Sequence, residues 1–144
     1  MEWEYVRPLQ AETLVDDYEK TIKYEFPEEF VLCVKHNNNG YPKLSSFISW
    51  KGKRKRKRVF DHLFSFNTED RTTIWNYNDW NGRFHDWNEN GEMNDYVAFA
   101  GDPFGNLICF DKTNDHIVFI DHETLEIEDV ADNFSDFINN LRKK

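Results

Sequence analysis

The chain has 144 residues, a formal net charge of −9 and an aromatic content of 17%. A chain of this length forms one domain and buries roughly 70% of the surface that its unfolded form exposes, so we expect a single domain over residues 1–144. The aromatic content excludes disorder of the whole chain, although the mean hydropathy is −0.82. No stretch approaches the roughly 18 consecutive apolar residues of a membrane helix, and the first residues lack the pattern of a signal peptide. We therefore expect a soluble, cytoplasmic protein with no membrane partner.

Two helices are predicted near the N-terminus. In residues 11–24, apolar residues such as Leu14 and Tyr18 recur at helical spacing, and acidic residues early in the segment suit the helix dipole. The second helix has Pro27 at its first position and ends at an asparagine run before Gly40. We expect Gly40 to adopt the left-handed conformation of a helix cap.

From residue 44 the apolar pattern changes to that of strands. The segments "LSSFISW" (44–50) and "RVFDHLFSF" (58–66) are β-branched and aromatic runs on either side of Gly52, which predicts a hairpin. The tip of this hairpin carries "KGKRKRKR", seven basic residues within positions 51–58. Alternation along the second strand sends the lysines to one face and the arginines to the other. The arginines are Arg54, Arg56 and Arg58.

The segment 72–94 is rich in Asn and Trp. A short helix over residues 73–82 is predicted, with Thr73 as its N-cap and with Ile74 and Tyr77 as its buried edge; the rest is loop. Because Trp dominates binding hot spots and loops often carry function, this insert is the candidate partner-binding surface. The alternative is that one or two of the tryptophans close the core. The candidate contact residues are Trp75, Asp79, Trp80, Arg83, Asp86, Trp87 and Glu89.

Three further strands are predicted over residues 96–100, 106–111 and 116–121, and short links between them imply antiparallel pairing. A final helix follows, with Asn133 as its cap and a stripe of apolar residues facing the core. The predicted fold class is α+β: an antiparallel or mixed sheet of about five strands, with the N-terminal helix pair and the C-terminal helix packed on it.

The reactive residue types do not group into a catalytic pattern. Cys33 and Cys109 each lie in an apolar run, where a buried thiol is inert. The five histidines lack the i, i+4 spacing of a helical zinc motif. We therefore predict a protein that is not an enzyme, with no metal and no cofactor.

Three segments together resemble the SUKH superfamily of Smi/Knr-type immunity proteins: "EKTIKYEFPEEFVLCVKHNNNG", "VAFAGDPFGNLICFD" and "IVFIDHETLEIEDVADNFSDFINNL". Phe26 stands where Leu is usual in that family, and "NNNG" replaces its Asn-Gly-Gly turn. The basic run has no counterpart in the shared pattern. The residues that match the family motif, for which the resemblance implies structural roles, are Pro27, Gly40, Phe104, Gly105, Asn106, Asp111, Asp121, His122 and Glu123.

The resemblance implies a non-catalytic protein that binds a cognate toxin domain, in many such systems a nuclease, and blocks it. Some family members in fungi instead regulate cell-wall synthesis by binding partners. A monomer is the favoured oligomeric state.

The basic run leaves a second reading open, a regulatory or nucleic-acid-binding module that uses the hairpin at 51–58. Without the run, the chain holds 11 basic against 27 acidic residues, a net charge of −16, and such a body repels phosphate backbones. Nucleic acid is therefore a disfavoured partner. The arginines at 54, 56 and 58 are kept as secondary contacts to acidic residues of a protein partner. A solvated hairpin, whose Lys and Arg stems cover neighbours such as Trp50 and pair with surface carboxylates, is favoured over nucleic-acid binding as the explanation of the run.

Overall fold

A computed structural model describes residues 1–144 and has the predicted α+β class. Seven antiparallel strands form one sheet, in the spatial order β4-β3-β9-β8-β7-β6-β5, and β1 and β2 form a separate two-stranded ribbon. The strands are β1 (Trp3–Glu4), β2 (Tyr41–Pro42), β3 (Ser46–Lys51), β4 (Arg54–Val59), β5 (His62–Leu63), β6 (Tyr96–Gly101), β7 (Leu107–Asp111), β8 (Ile117–Ile120) and β9 (Ile127–Ala131). No helix has both the length and the apolar character needed to cross a membrane.

The large sheet must curl, because its two edge strands follow one another in the chain. Strand β4 ends at Val59 and β5 begins at His62, yet they lie at opposite edges. Seven strands laid flat would separate those edges by roughly 30 Å, whereas two linking residues span only about 10 Å. The link is fixed at both ends: the Phe60 amide donates to Ser45 and the Asp61 amide to Gly101. The sheet is therefore a half-barrel.

Four α-helices accompany the sheet: α1 (Leu14–Ile22), α2 (Glu28–Asn37), α3 (Ile74–Tyr77) and α4 (Phe134–Asn139). Helices α2 and α4 pack on the sheet through aromatic rings. Phe30 of α2 lies 5.1 Å from Phe110 of β7 and 5.2 Å from Phe134 of α4. The N-caps of α3 and α4 were predicted correctly: Thr73 accepts from the Asn76 amide, and Asn133 from the Asp136 amide.

The number of strands was predicted too low. The segment 58–66 was expected to be one strand, but it contains the end of β4, an irregular link at Phe60 and Asp61, and all of β5. Strand β9 was missed because its most buried residue is Glu128, at 1% exposure, so that its burial does not follow its apolar residues. The sheet therefore has seven strands rather than about five.

The predicted cap after α2 also needs correction. The left-handed residue is Asn39, with φ of 67°, not Gly40. Asn tolerates this conformation because its short polar side chain bonds locally. Glycine is needed at position 40 for space, since a Cβ there would lie 2.6 Å from the Asn37 carbonyl oxygen and 2.9 Å from the Trp3 ring. Pro27 likewise stands one position earlier than predicted, at the N-cap of α2.

Candidate functional site

The basic run lies on a regular hairpin. A two-residue turn joins β3 to β4, and Gly52 takes a φ of 61° at its first position, the conformation that makes glycine favourable in such turns. Phe47 pairs with Arg58 and Ser49 with Arg56, whereas Ile48 pairs with Lys57 and Trp50 with Lys55. Since directly paired residues share a face, arginines and lysines lie on opposite faces, as predicted.

One residue of the arginine face, Arg58, is part of the folded interior. Arg58 forms an ion pair of 2.8 Å with Glu128 and places its guanidinium 4.2 Å from the centre of the Phe119 ring. The Ser49 hydroxyl donates to the same carboxylate at 2.6 Å. Burial alone would raise the pKa of Glu128, but the hydrogen bonds from Ser49 and Arg58 and the positive charge of Arg58 outweigh it and lower the pKa below its ordinary value. Arg58 thus stabilises the fold and is not free for a partner, while Arg54 remains exposed and Arg56 half-exposed.

The lysine face borders an open groove. Trp50 is 41% exposed and Ile48 is 40% exposed, high values for such large apolar side chains. Strand β9 pairs with β3 only at Trp50 and Asp129, and the backbone of Arg142 pairs with Ser46. Between these two pairs, no ladder pair joins β3 to β9, and the sheet opens there.

The resulting depression has a volume of about 530 Å³ and reaches the buried rings of Phe47 and Phe137. We call it the Trp50 groove. It is defined by Ile48, Trp50, Lys57, Val130, Ala131 and Arg142.

The charges around the Trp50 groove divide at Trp50 itself. Lys57, Arg142 and Lys143 line the groove, and no carboxylate does. A smaller depression of about 410 Å³ continues on the other side of Trp50, where Asp129 and Asp132 supply the charge. None of the lining cations forms an ion pair, and Arg58 is the one member of the run that does. The expectation that the run pairs generally with surface carboxylates was therefore wrong.

The tryptophans of the insert at 72–94 turn towards the core. Trp80 is 9% exposed, and its indole N–H donates to the Tyr96 carbonyl at 3.2 Å. Trp75 packs on Tyr18 with ring centres 4.6 Å apart, and Trp87 stacks near Trp80 at 6.4 Å. The alternative interpretation of the sequence was that one or two of these tryptophans close the core. It holds fully for Trp80 and in part for Trp75 and Trp87.

The polar members of the predicted contact surface do lie outside. Asp79, Arg83, Asp86 and Glu89 are all exposed. Asp79 accepts from the Arg83 amide at 3.2 Å, and Asp86 lies 3.0 Å from His85. Their role in binding a partner stays a prediction.

The insert has a structural task at the edge of the sheet. Asn78 uses its side chain as a strand would, accepting from the Ala98 amide at 2.6 Å and donating to the Ala98 carbonyl at 2.8 Å. Strand β5 pairs with β6 at Ala100 and Gly101, and the Phe64 amide donates to the Phe99 carbonyl, so the part of β6 before Phe99 is left to the insert. Bonds from Asn78 and Trp80 thus satisfy backbone groups that would otherwise form an open sheet edge.

The residues of the family motif come together around two turns. Gly105 takes a φ of 92°, and Asn106 accepts from both the backbone and the ring of His122, the latter at 2.7 Å. Asp111 and Asp121 each accept from amides of the turn that follows them. Phe104 and Glu123 are exposed. The sequence thus identified a set of turn-forming residues, and most of them act on the backbone.

The thiols occupy environments that suppress reactivity. Burial raises the pKa of Cys33 to about 11, and it raises the pKa of the fully buried Cys109 further. The expectation of buried thiols holds for Cys109, whereas Cys33 is only half-buried.

One histidine lies in a hydrogen-bonded chain of the kind used in acid–base catalysis. His62 contacts Asp61 at 2.8 Å and the Thr72 hydroxyl at 2.7 Å. The residue is 7% exposed and its ring stacks on that of Tyr41 with centres 4.7 Å apart, so His62 anchors β5 to the neighbouring loop. No three His, Cys, Asp or Glu side chains are grouped closely enough to hold a metal ion. That the protein works without metal or catalysis stays a prediction.

Ile48 and Arg142 were not singled out from the sequence, and Trp50 was noted only as an apolar neighbour of the basic run. A signal was present. In "SFISW", Phe47 lies on one face of the strand and Ile48 and Trp50 on the other, so this strand has apolar residues on both faces. The pairing of Arg142 with Ser46 depends on contacts about a hundred residues apart in the chain, for which periodicity carries no signal.

Comparison with known proteins supports the resemblance seen in the sequence. No curated protein matches the chain. A family model of the SUKH group, described as SMI1-KNR4 cell-wall, matches residues 12–138. This match includes both helices of the N-terminal pair, the whole large sheet and most of α4. Because it covers most of the 144 residues, the chain belongs to the SMI1-KNR4 family of the SUKH superfamily.

Proposed function

We propose that this protein is an immunity protein that binds a cognate toxin domain, of the nuclease type, and blocks it without chemistry of its own. The family match over residues 12–138 carries the proposal, because the resemblance to SUKH immunity proteins implies a protein that acts by binding a partner. The exposed apolar groove at Trp50 supports it, since apolar patches rimmed by polar residues mark protein-binding sites. The raised pKa values of both thiols favour binding over thiol catalysis.

The charge distribution suits a basic toxin. The net charge of −9 favours fast encounter with a positively charged domain such as a nuclease. A nuclease blocked in this way is covered at its active site or held in an inactive conformation.

Co-expression tests the proposal. The product of the neighbouring gene is expressed as the candidate toxin domain in a bacterial host with and without the protein. We expect growth arrest by the toxin alone, rescue by the protein, and a complex that elutes as one species in size exclusion. Continued arrest together with separate elution would remove the proposal.

The second candidate is a protein that regulates cell-wall synthesis by binding a partner, because the matched family is described as SMI1-KNR4 cell-wall. It predicts that deletion of the gene changes sensitivity to wall-directed antibiotics in a cell that carries no toxin gene. An immunity protein predicts no such change.

A further inference from the structure

We propose that the Trp50 groove is the contact site for an acidic segment of the partner protein, which inserts an apolar side chain beside Trp50 and places carboxylates on the surrounding lysines. This inference rests on the proposed function in that the partner is the toxin domain. It assigns the contact to the hairpin at 46–59 and not to the insert at 72–94.

The shape of the groove fits an inserted side chain. Trp50 and Ile48 lie on one face of β3, two residues apart, and both expose about two fifths of their surface. The opening between β3 and β9 extends this apolar surface down to the core rings Phe47 and Phe137. Hot spots of protein interfaces are pockets of this kind, in which an aromatic residue is surrounded by contacts that exclude water.

The charge of the rim selects the sign of the partner segment. Lys57 is paired with Ile48 and Lys55 with Trp50, so each exposed apolar residue has a lysine directly beside it. Arg142 and Lys143 line the groove from the C-terminal side. These cations form no ion pair within the protein, although the rest of the chain is strongly acidic. A carboxylate is therefore the group that complements the rim.

The surroundings favour a protein segment over a nucleic acid. Asp129 and Asp132 lie just beyond Trp50, in the depression that continues the groove. A phosphate backbone that followed the groove would meet these carboxylates, whereas nucleic-acid sites present continuous basic surface. An acidic peptide segment avoids this repulsion when its carboxylates lie on the lysine side of Trp50 and no acidic residue lies beside Asp129 and Asp132.

The test uses the complex with the toxin domain and two variants, Trp50→Ala and Lys57→Glu. Loss of a hot-spot tryptophan is expected to weaken the affinity at least about 30-fold. Reversal of the charge at Lys57 is expected to slow association about tenfold, with a difference that shrinks at high salt. Both positions are exposed enough for the variants to fold, and thermal unfolding checks this. If Trp50→Ala does not fold, Lys57→Glu carries the test.

Two control variants make the same kinds of substitution at exposed positions away from the groove. Phe104→Ala removes an aromatic ring that is 73% exposed at another turn, and Lys20→Glu makes the same change of charge on α1. Both are expected to bind within about threefold of the unmodified protein. If the unmodified protein binds the toxin domain and Trp50→Ala binds it equally well, the groove inference is wrong while the proposed function stands.

If the unmodified protein does not bind the toxin domain, the proposed function fails and the groove is tested alone. A short acidic peptide with a central leucine is titrated into labelled protein. Shifts of the Trp50 indole signal, lost in Lys57→Glu, support the groove. Absence of such shifts overturns it, as would binding of a DNA or RNA oligonucleotide that depends on Lys57, which would show a nucleic-acid site instead.

Discussion

The hairpin at 46–59 and the insert at 72–94 both carry the aromatic and charged residues of a binding surface, but they use them in opposite ways. In the insert, Trp80 lies at 9% exposure and donates to the edge of β6. In the hairpin, Trp50 is 41% exposed over an opening in the sheet. The insert therefore completes the packed core, whereas the hairpin exposes an apolar groove.

The charged residues show the same contrast within the hairpin itself. Arg58 is held between Glu128 and Phe119, while Lys57, one residue earlier, borders the Trp50 groove without an ion pair. Arginines and lysines thus alternate along β4, and the basic run forms two different faces of the strand. One face secures β4 to the sheet through Arg58, and the other leaves its lysines without an ion pair beside the groove.

The largest effect on stability is expected at the arginine face of the hairpin. Arg58→Ala leaves Glu128 as a buried carboxylate without its cation, and we expect a loss of about 3–5 kcal/mol in the free energy of unfolding, measured with urea. The double variant Arg58→Met with Glu128→Leu removes both charges and should recover most of that loss. A loss below about 1 kcal/mol for Arg58→Ala would show that the pair is not part of the folded interior.

The next effect compares the two tryptophans directly. Trp80→Ala removes a core ring and a hydrogen bond to Tyr96 and should lower the free energy of unfolding by about 3 kcal/mol. Trp50→Ala, at a surface ring, should lower it by less than about 1 kcal/mol. Urea titration of both variants measures the difference. Equal losses would contradict the assignment of the insert to the core and of the hairpin to the surface.

The smallest effect is a dependence on pH. Burial alone would raise the pKa values of Glu128 and Asp70. Hydrogen bonds and a nearby arginine, Arg58 for Glu128 and Arg7 for Asp70, outweigh burial and hold the two pKa values below their ordinary values of 4.5 and 3.8. A carboxyl group whose pKa is lower in the folded than in the unfolded protein stabilises the fold at pH values above its unfolded-state pKa. This stabilisation is lost as the pH falls through its folded-state pKa. Thermal unfolding should therefore shift to lower temperature below about pH 4.5. The double variant at positions 58 and 128 should shift less.

Features set by local chemistry were predictable from the sequence. Thr73 and Asn133 cap helices because a side-chain oxygen reaches an amide three residues away, and Gly52 allows a tight turn. The family motif likewise consists of residues that bond to nearby backbone groups.

Features set by distant contacts were not predictable. The burial of Glu128 depends on Arg58, so β9 has no apolar alternation by which to recognise it. The inward direction of Trp80 depends on the free edge of β6, and the groove depends on the point where Arg142 meets Ser46. Each of these requires the curl of the sheet, which no local pattern encodes.

Hydrogen–deuterium exchange measures directly which of the two regions meets the partner. Amide exchange is compared residue by residue in the free protein and in its complex with the toxin domain. We predict slower exchange in the complex over residues 46–58 and 127–132, with residues 79–90 unchanged. Slower exchange confined to residues 79–90 would contradict it and return the contact surface to the insert.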